Sequence, residues 1–374
     1  MRHDTIPETL LAWFAEHQRD LPWRKSYDPY HVWISEIMGQ QTRMDRVVGY
    51  FNRWVERFPD VERLAAARQD EVLSLWEGLG YYRRALNLHA AAREIVRRHQ
   101  GRIPEQREEL LELPGIGPYT AAAILSLAFN QDVPVVDANV ERLLSRLFDI
   151  DSPVKLPHNR AFIRRTMEEW LPPGSARLFN QAVMEFGALV CRPGSPGCAT
   201  CVLASCCRSL RHRTVAKRPA LPPRKSTVFI EMACGILVHH GRVLIQKRPE
   251  TGVWPNLWEF PGGELEEGES PLGAVKREFL EETELVILPH AHLASVHHSY
   301  TRYRVTLHGF LARLAPGSSE TPVLHAAQEH RWVTVDELDG FAFPTGHRQL
   351  IDAHLHRIRE ATQRSLVAGS PSSW

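Results

Sequence analysis

Long apolar runs are missing from this 374-residue sequence. None approaches the roughly 20 residues that a membrane-spanning helix requires, and the opening MRHDTIPETLLAWFAEH does not read as a signal peptide. A cytoplasmic, nucleoid-associated protein is expected. Bulk charge is missing too, since the net charge is only +1, so any binding to nucleic acid must rest on local patches. Cysteine is scarce, with six residues, yet five of them fall between positions 191 and 207. In a cytosolic chain such clustering argues for a metal or cluster and against disulfides. No strand pattern of any length precedes residue 226, which predicts a first domain that is nearly all helix.

What is present is unevenly spread. Residues 1–207 carry 25 Lys/Arg and 26 Asp/Glu, residues 208–225 carry 7 and 0, and residues 226–374 carry 13 and 18. The middle segment, RSLRHRTVAKRPALPPRK, is basic and proline-bearing and reads as a linker. The organising stretch is LPGIGPYTAAAILSLAFNQDVPVVDAN, residues 113–139. Gly115 and Gly117 flank the apolar Ile116 and permit unusual backbone angles, Pro118 suits a first helical turn, and a helix is expected over Tyr119–Phe129. With the helical PEQREELLEL before it, the unit is helix, hairpin, helix. Its backbone N–H groups suit a phosphate backbone, gripped without reading bases.

Candidate chemistry gathers around it. Glu36 lies three and four residues from Trp33 and Val32, on the apolar face of a predicted helix. Desolvation there should raise its pKa, as suits a proton donor, although a helical glutamate can also swing to solvent. Asp137 precedes ANVERLLSRLF, where it reads either as an N-cap or as a carboxylate held near a developing positive charge. Gly78-Leu79-Gly80 presents Tyr81 and Tyr82 beside two arginines, a wedge for a base stack or, equally, core tyrosines beneath a solvated face. Cys191, Cys198, Cys201 and Cys207 follow C-x6-C-x2-C-x5-C, which favours an iron–sulfur cluster over zinc. Cys206, next to Cys207, leaves the fourth ligand open.

LPGIG, VVDAN and the cysteine spacing together resemble the endonuclease III superfamily of base-excision glycosylases. WISEIMGQQT and GLGYYRRALNLH are similar to its adenine DNA glycosylase branch. The resemblance covers nearly all of residues 8–207. It implies two helical subdomains, a [4Fe–4S] cluster on Cys191, Cys198, Cys201 and Cys207 with Cys206 a bystander, and removal of adenine opposite 8-oxoguanine or guanine in double-stranded DNA. Glu36 matches the family's general acid, Asp137 the carboxylate that meets the sugar cation, and Asn139 its polar neighbour. Gln40, Gln41, Thr42, Tyr81, Tyr82, Gly115 and Gly117 match positions at the DNA. Bifunctional relatives carry a lysine where Tyr119 stands, so a monofunctional enzyme is expected, acting as a monomer.

From residue 227 the pattern changes to strands. GVWPNLWEFPGGELEEGESPLGAVKREFLEETEL resembles the Nudix box, G-x5-E-x7-R-E-U-x-E-E-x-G-U, with Glu284 in place of its final glycine. Glu278, Glu281 and Glu282 are then candidate Mg2+ ligands, or a solvated acidic face. Glu284 is expected to strain the helix end. HHSYTRYRVTLHGF is similar to the family's recognition loop through Tyr300 and Thr301, with Arg302 in place of a histidine. The expected architecture is multidomain. An all-α helix-hairpin-helix glycosylase domain with an iron–sulfur loop spans residues 1–207, a basic linker 208–226, an α/β Nudix-like lesion-recognition domain 227–362, and a disordered tail 363–374. A nucleotide hydrolase working through the box and a non-catalytic lesion binder are the competing readings.

Overall fold

The computed structural model describes residues 5–221 and 226–368. The chain forms two compact units, one of residues 1–66 and 87–224, the other of residues 67–86 and 225–374.

The first unit is helical and carries two packed centres. In one, the amphipathic Ile6–His17 helix lays Ile6, Leu10, Trp13 and Phe14 against Leu143, Leu147, Met167, Phe179, Val183 and Phe186. These partners come from helices Ala138–Phe148, Pro157–Trp170 and Ala176–Leu189. In the other, Val32 of helix Pro29–Gly39 packs on Ala122, Ala123, Leu127, Ala128 and Val135. Fully burying an apolar side chain of this size contributes about 1.5–3 kcal/mol, so each centre fixes the helices that enter it. The hairpin feeds the second centre, to which its second helix contributes Ala122 and Ala123. Helix Arg107–Glu112 ends at Leu113, Gly115 takes φ +77°, and helix Pro118–Ala123 runs on into one π turn, Ile124–Ala128. Gly115 is required twice over, because an added Cβ would lie 2.6 Å from Asn87 and positive φ strains other residues. Gly117 is different from expectation. It adopts an ordinary extended conformation (φ −92°, ψ 179°) with open space where a Cβ would go.

The basic segment after the cysteines is not a free linker. Asp149, in a left-handed conformation at the end of helix Ala138–Phe148, accepts from Ser209 Oγ (3.1 Å), Thr214 Oγ1 (2.6 Å) and Arg218 Nε (2.8 Å), and His212 Nδ1 lies at 2.7 Å. These partners hold its carboxyl well below the usual range. One carboxylate therefore anchors residues 209–218 to the helical unit, a contact across some sixty residues that local composition could not reveal. Residues 222–225 of the expected linker lie outside the described residues.

The second unit is a sheet between helices. Its strands are β1 (Val228–His239), β2 (Arg242–Lys247), β3 (Trp258–Glu259), β4 (Gly262–Glu264), β5 (Ile287–Tyr300), β6 (Tyr303–Leu314) and β7 (Glu329–Val333). The main order is β3-β2-β1-β6-β5, with β4 on β1 and β7 on β2. β1 and β6 run parallel from Val228–Tyr303 to Leu237–Ala312, and the other pairs are antiparallel. Alternation along β1 separates the two faces. Ala233 and Leu237 pack with Val275 and Phe279 of helix Pro271–Thr283, whereas Cys234, Ile236 and Val238 pack with Leu350, Ile351 and Ile358 of helix Thr345–Ala368. That last helix corrects the expected tail, since residues 363–368 continue it and Ser365 Oγ accepts from Gly241 N at 2.8 Å. Residues 369–374 lie outside the described residues.

Residues 67–86 correct the domain boundary read from the sequence. Arg348 donates to Glu77 at 3.0 Å, Glu77 also accepts from Phe343 N at 2.9 Å, and Lys247 pairs with Asp70 at 2.8 Å. The Tyr82 hydroxyl donates to Phe343 O at 3.2 Å. These bonds attach the segment to the sheet-bearing unit. No helix among the described residues is long and apolar enough to cross a membrane.

Candidate active site

Two carboxylates, one from each packed centre of the helical unit, approach each other beside the hairpin helix. Glu36 sits on helix Pro29–Gly39, whose N-cap Asp28 accepts from His31 N. Tyr30, Val32, Trp33, Ile34, Ser35, Ile37 and Met38 of the same helix are all buried. The Glu36 residue keeps partial access to the surface while its carboxyl is enclosed, and burial pushes its pKa up to about 7. The Tyr119 hydroxyl, donating to Oε2 at 2.7 Å, opposes that rise, and the nearby Asp137 charge adds to it. Arg24 pulls the other way but weakly, because its guanidinium is engaged by Glu185 at 2.9 and 3.3 Å. A carboxyl raised this far can hold its proton near neutral pH, which is the condition for a general acid.

Asp137 serves both readings at once. It is the N-cap of helix Ala138–Phe148, with Oδ1 accepting from Val140 N at 2.7 Å. Oδ2 accepts from Asn139 Nδ2 at 2.6 Å. Burial raises its pKa while these bonds favour the ionised form, so the cap fixes an enclosed carboxylate in place. Asn139 is itself held by Arg142, whose Nη2 donates to Asn139 Oδ1 at 2.7 Å and whose Nε donates to the Cys191 carbonyl at 2.8 Å. Arg142 and Arg24 were not found from the sequence. Each has a partner more than forty residues away, Cys191 for Arg142 and Glu185 for Arg24, and a helical arginine looks like an exposed one.

The other expected positions divide. Gln40 Nε2 donates to Thr120 Oγ1 at 3.4 Å, Gln41 is exposed with φ +58°, and Thr42 Oγ1 donates to Gln40 O. Gln40–Thr42 thus end the Glu36 helix at the hairpin. Tyr82 is a correction: it is 3% exposed, with its hydroxyl on Phe343 O, and belongs to the core. Tyr81 is the exposed member, at φ +49°, and Arg84 secures its turn by donating to Leu79 O and Gly80 O. The Tyr81 ring lies 6.1 Å from that of Tyr300, and Trp254 meets Tyr300 edge-on at 5.6 Å. Trp254 was missed because it lies ahead of the box, which begins at Gly263, and its φ of +52° is costly for a bulky side chain. Tyr300 and Tyr303 bracket the two-residue turn Thr301-Arg302, and Arg302 lies over the Tyr303 ring.

Cys191, Cys198, Cys201 and Cys207 line one small apolar-walled cavity together with Leu143, Leu203 and Arg146. Cys206 does not line it; its thiol donates to Leu203 O. Tetrahedral zinc with 2.3 Å bonds would hold sulfurs about 3.8 Å apart. Among the described residues no three of these sulfurs come within 4.8 Å of one another. The four thiols, Cys207 among them, could hold a wider, cluster-sized group, and Arg146 places a buried cation 3.4 Å from Cys191 Sγ.

At the end of the box helix Glu284 takes the left-handed angle (φ +56°), donates its backbone N–H to Leu280 O and pairs with His325. Gly263 makes room for Glu278, whose carboxyl lies 2.3 Å from where a Cβ would be. The three glutamates part company. Glu281 is exposed and bonded to Arg277, as is Glu278, while Glu282 is enclosed with Glu259, and burial brings it up to about 7. Glu282 accepts from Gln246 and Gly262 N, and Glu259 pairs with Arg248. Protein donors thus engage one oxygen of each box glutamate, Glu278 Oε1, Glu281 Oε2 and Glu282 Oε2.

Residues 34–173 match the family described as HhH-GPD superfamily base excision DNA repair protein, and residues 233–353 match the NUDIX domain. A thermostable thymine-DNA glycosylase structure aligns with 56% of this chain and 97% of its own at 30% identity and TM-score 0.52. An endonuclease III–DNA complex, at 24% identity and TM-score 0.50, shares the fold over 57% of this chain and 99% of its own. The adenine DNA glycosylase of Rattus norvegicus is 31% identical over 96% of this chain and 79% of its own length, and that of Homo sapiens is 30% identical over 98% and 76%. With a carboxylate pair beside a hairpin, a cysteine loop and a sheet domain in one chain, this protein belongs to the adenine DNA glycosylase family.

Proposed function

We propose that this glycosylase removes adenine mispaired with 8-oxoguanine or guanine, hydrolysing the N-glycosidic bond of a flipped nucleotide without cutting the strand. The observation that carries this reading is the enclosed Glu36, brought to a pKa of about 7 beside Asp137. Protonated Glu36 gives its proton to a ring nitrogen of adenine, and the base leaves with the glycosidic electron pair. Asp137, anionic and fixed by Val140 N and Asn139, faces the positive charge that develops on the sugar. Water then adds to the anomeric carbon, and its proton returns to Glu36. Tyr119 offers a phenol where a Schiff base would need an amine, so no covalent route to strand cleavage opens there.

Extracting a base costs a few kcal/mol of stacking. Tyr81, Gln41 and the Gly115–Gly117 hairpin are the wedge and backbone grip that meet this cost, with Gln40 and Thr42 shaping the rim. Tyr300, Thr301 and Arg302, flanked by Trp254, sense the opposite oxidised base. Cys191, Cys198, Cys201 and Cys207 would hold a [4Fe–4S] cluster, which supplies a rigid cross-link to the loop rather than chemistry at the base. We place the protein with the nucleoid, working as a monomer on duplex DNA.

The test is single-turnover excision on a labelled duplex with one adenine opposite 8-oxoguanine, followed by alkali. Product that requires the alkali, and falls by about 10²–10⁴-fold in Glu36→Gln, is the expected result. Rapid nicking without alkali would overturn the monofunctional assignment, and no product from cluster-loaded protein would overturn the substrate.

A further inference from the structure

The β1–β2 turn brings two histidines and a glutamate around one point that the glycosylase chemistry leaves unused. His239 ends β1 and His240 takes φ +45° ahead of Gly241 at +73°. Consecutive side chains on a strand point to opposite faces, but this reversal brings both imidazoles to the same side, with ring centroids 3.9 Å apart. Glu320, from the loop between β6 and β7, reaches the same place. Its Oε1 lies 3.1 Å from His239 Nε2 and 3.9 Å from His240 Nε2. The three donor atoms lie within 4.8 Å of one another. Trp332 of β7 packs against His239 at 5.8 Å and limits its ring.

An ordinary ion pair accounts poorly for this arrangement. An exposed histidine–glutamate pair contributes little and needs only one imidazole. His239 Nε2 is buried and makes no hydrogen bond despite the nearby carboxylate oxygen, which leaves a buried donor atom directed at the shared point. Two imidazoles and one carboxylate are the ligand set of a borderline divalent cation, while Mg2+ and Ca2+ prefer oxygen alone. Tetrahedral bonds of 2.0–2.2 Å separate ligand atoms by about 3.4 Å, between the two distances seen here.

We propose that His239, His240 and Glu320 form a binding site for a late first-row divalent cation, with Zn2+ the natural occupant. Its fourth position opens on a cleft lined by His290, Ser318 and Arg364. The ion ties the β1–β2 turn to the β6–β7 loop and so braces that end of the sheet against helix Thr345–Ala368. The site is separate from both the cysteine loop and the acidic box, and it needs neither for its geometry.

The experiment dialyses cluster-loaded, full-length protein against buffered Zn2+ and measures zinc and iron in the same sample, with melting curves in parallel. The expected result is saturable uptake of one zinc per chain with iron unchanged, and a zinc-dependent rise in Tm. His240→Ala and Glu320→Gln, both at exposed side chains, should each weaken uptake at least tenfold and abolish that rise, while their zinc-free Tm stays at the wild-type value. Wild-type affinity in either variant, no uptake by the parent protein, or uptake only as iron is lost would each overturn the proposal.

Discussion

Tyr119 donates its phenolic hydrogen to Glu36 Oε2 at 2.7 Å. A donor to a carboxylate favours its ionised form, so this bond holds Glu36 below the value that burial alone would set. On the proposed role of Glu36 as proton donor, excision should fall as pH rises through about 7. In Tyr119→Phe the hydroxyl is gone, and that falling limb should move to higher pH. A single-turnover pH–rate profile reads the shift; an unmoved limb would detach it from Glu36.

The same carboxyl makes the fold pH-sensitive. Glu36 has a folded pKa raised to about 7, so its stability contribution is fully present below its unfolded value, about 4.3, and is lost as pH rises through the folded one. Glu36→Gln removes that loss. Above pH 7 the variant should be more stable than the parent by roughly 3–4 kcal/mol, with the gap closing near pH 4. Chemical denaturation at the two pH values measures it.

Arg142 joins the cysteine loop to the neighbour of Asp137, with Cys191 O on one side and Asn139 on the other. Arg142→Met keeps the length and loses the donors. Excision should slow by about 10- to 100-fold, in the range seen when outer-shell partners of metal ligands are removed, and iron content should fall with it. Normal excision at full iron content would show that the link carries nothing.

The two neighbouring cysteines should separate cleanly. Cys207→Ser removes a cavity-lining thiol, whereas Cys206→Ser changes a side chain whose one bond is to Leu203 O. Iron per chain should drop in the first variant and hold in the second.

Tyr81 and Tyr82 should separate as well. Tyr82→Phe loses a buried hydrogen bond and about 1 kcal/mol of stability, with excision unchanged. Tyr81→Ala should slow excision at constant Tm, and Trp254→Ala, by freeing Tyr300, should narrow the preference for 8-oxoguanine over guanine. Equal effects of the two tyrosine variants on excision would contradict the core placement of Tyr82.

What the sequence made legible was local. Glu36 could be placed on an apolar face because Val32 and Trp33 stand one helical turn away, and Asp137 could be placed at a helix start because an apolar period follows it. The left-handed cost at Glu284 was readable from a missing glycine, and the structure has that angle. What stayed hidden depends on partners distant in the chain. Glu259 joins the box from a separate strand, Asp149 gathers the basic segment from sixty residues away, and Glu185 neutralises Arg24 across the first unit. Tyr81 and Tyr82 are indistinguishable in composition; only the turn geometry, φ +49° at Tyr81, sends one outward and one inward.

Residues 67–86 carry a consequence for how such a chain can be divided or inherited. The sheet-bearing unit draws Glu77, Asp70 and Tyr82 from the middle of the helical half of the sequence. A fragment beginning after residue 225 would leave Arg348 with the exposed Asp339 and Asp352 but without the enclosed Glu77, and would leave the largely buried Lys247 without Asp70. The two halves are therefore not interchangeable beads on a string. Swapping the C-terminal half between relatives should succeed only when the twenty-residue insert travels with it.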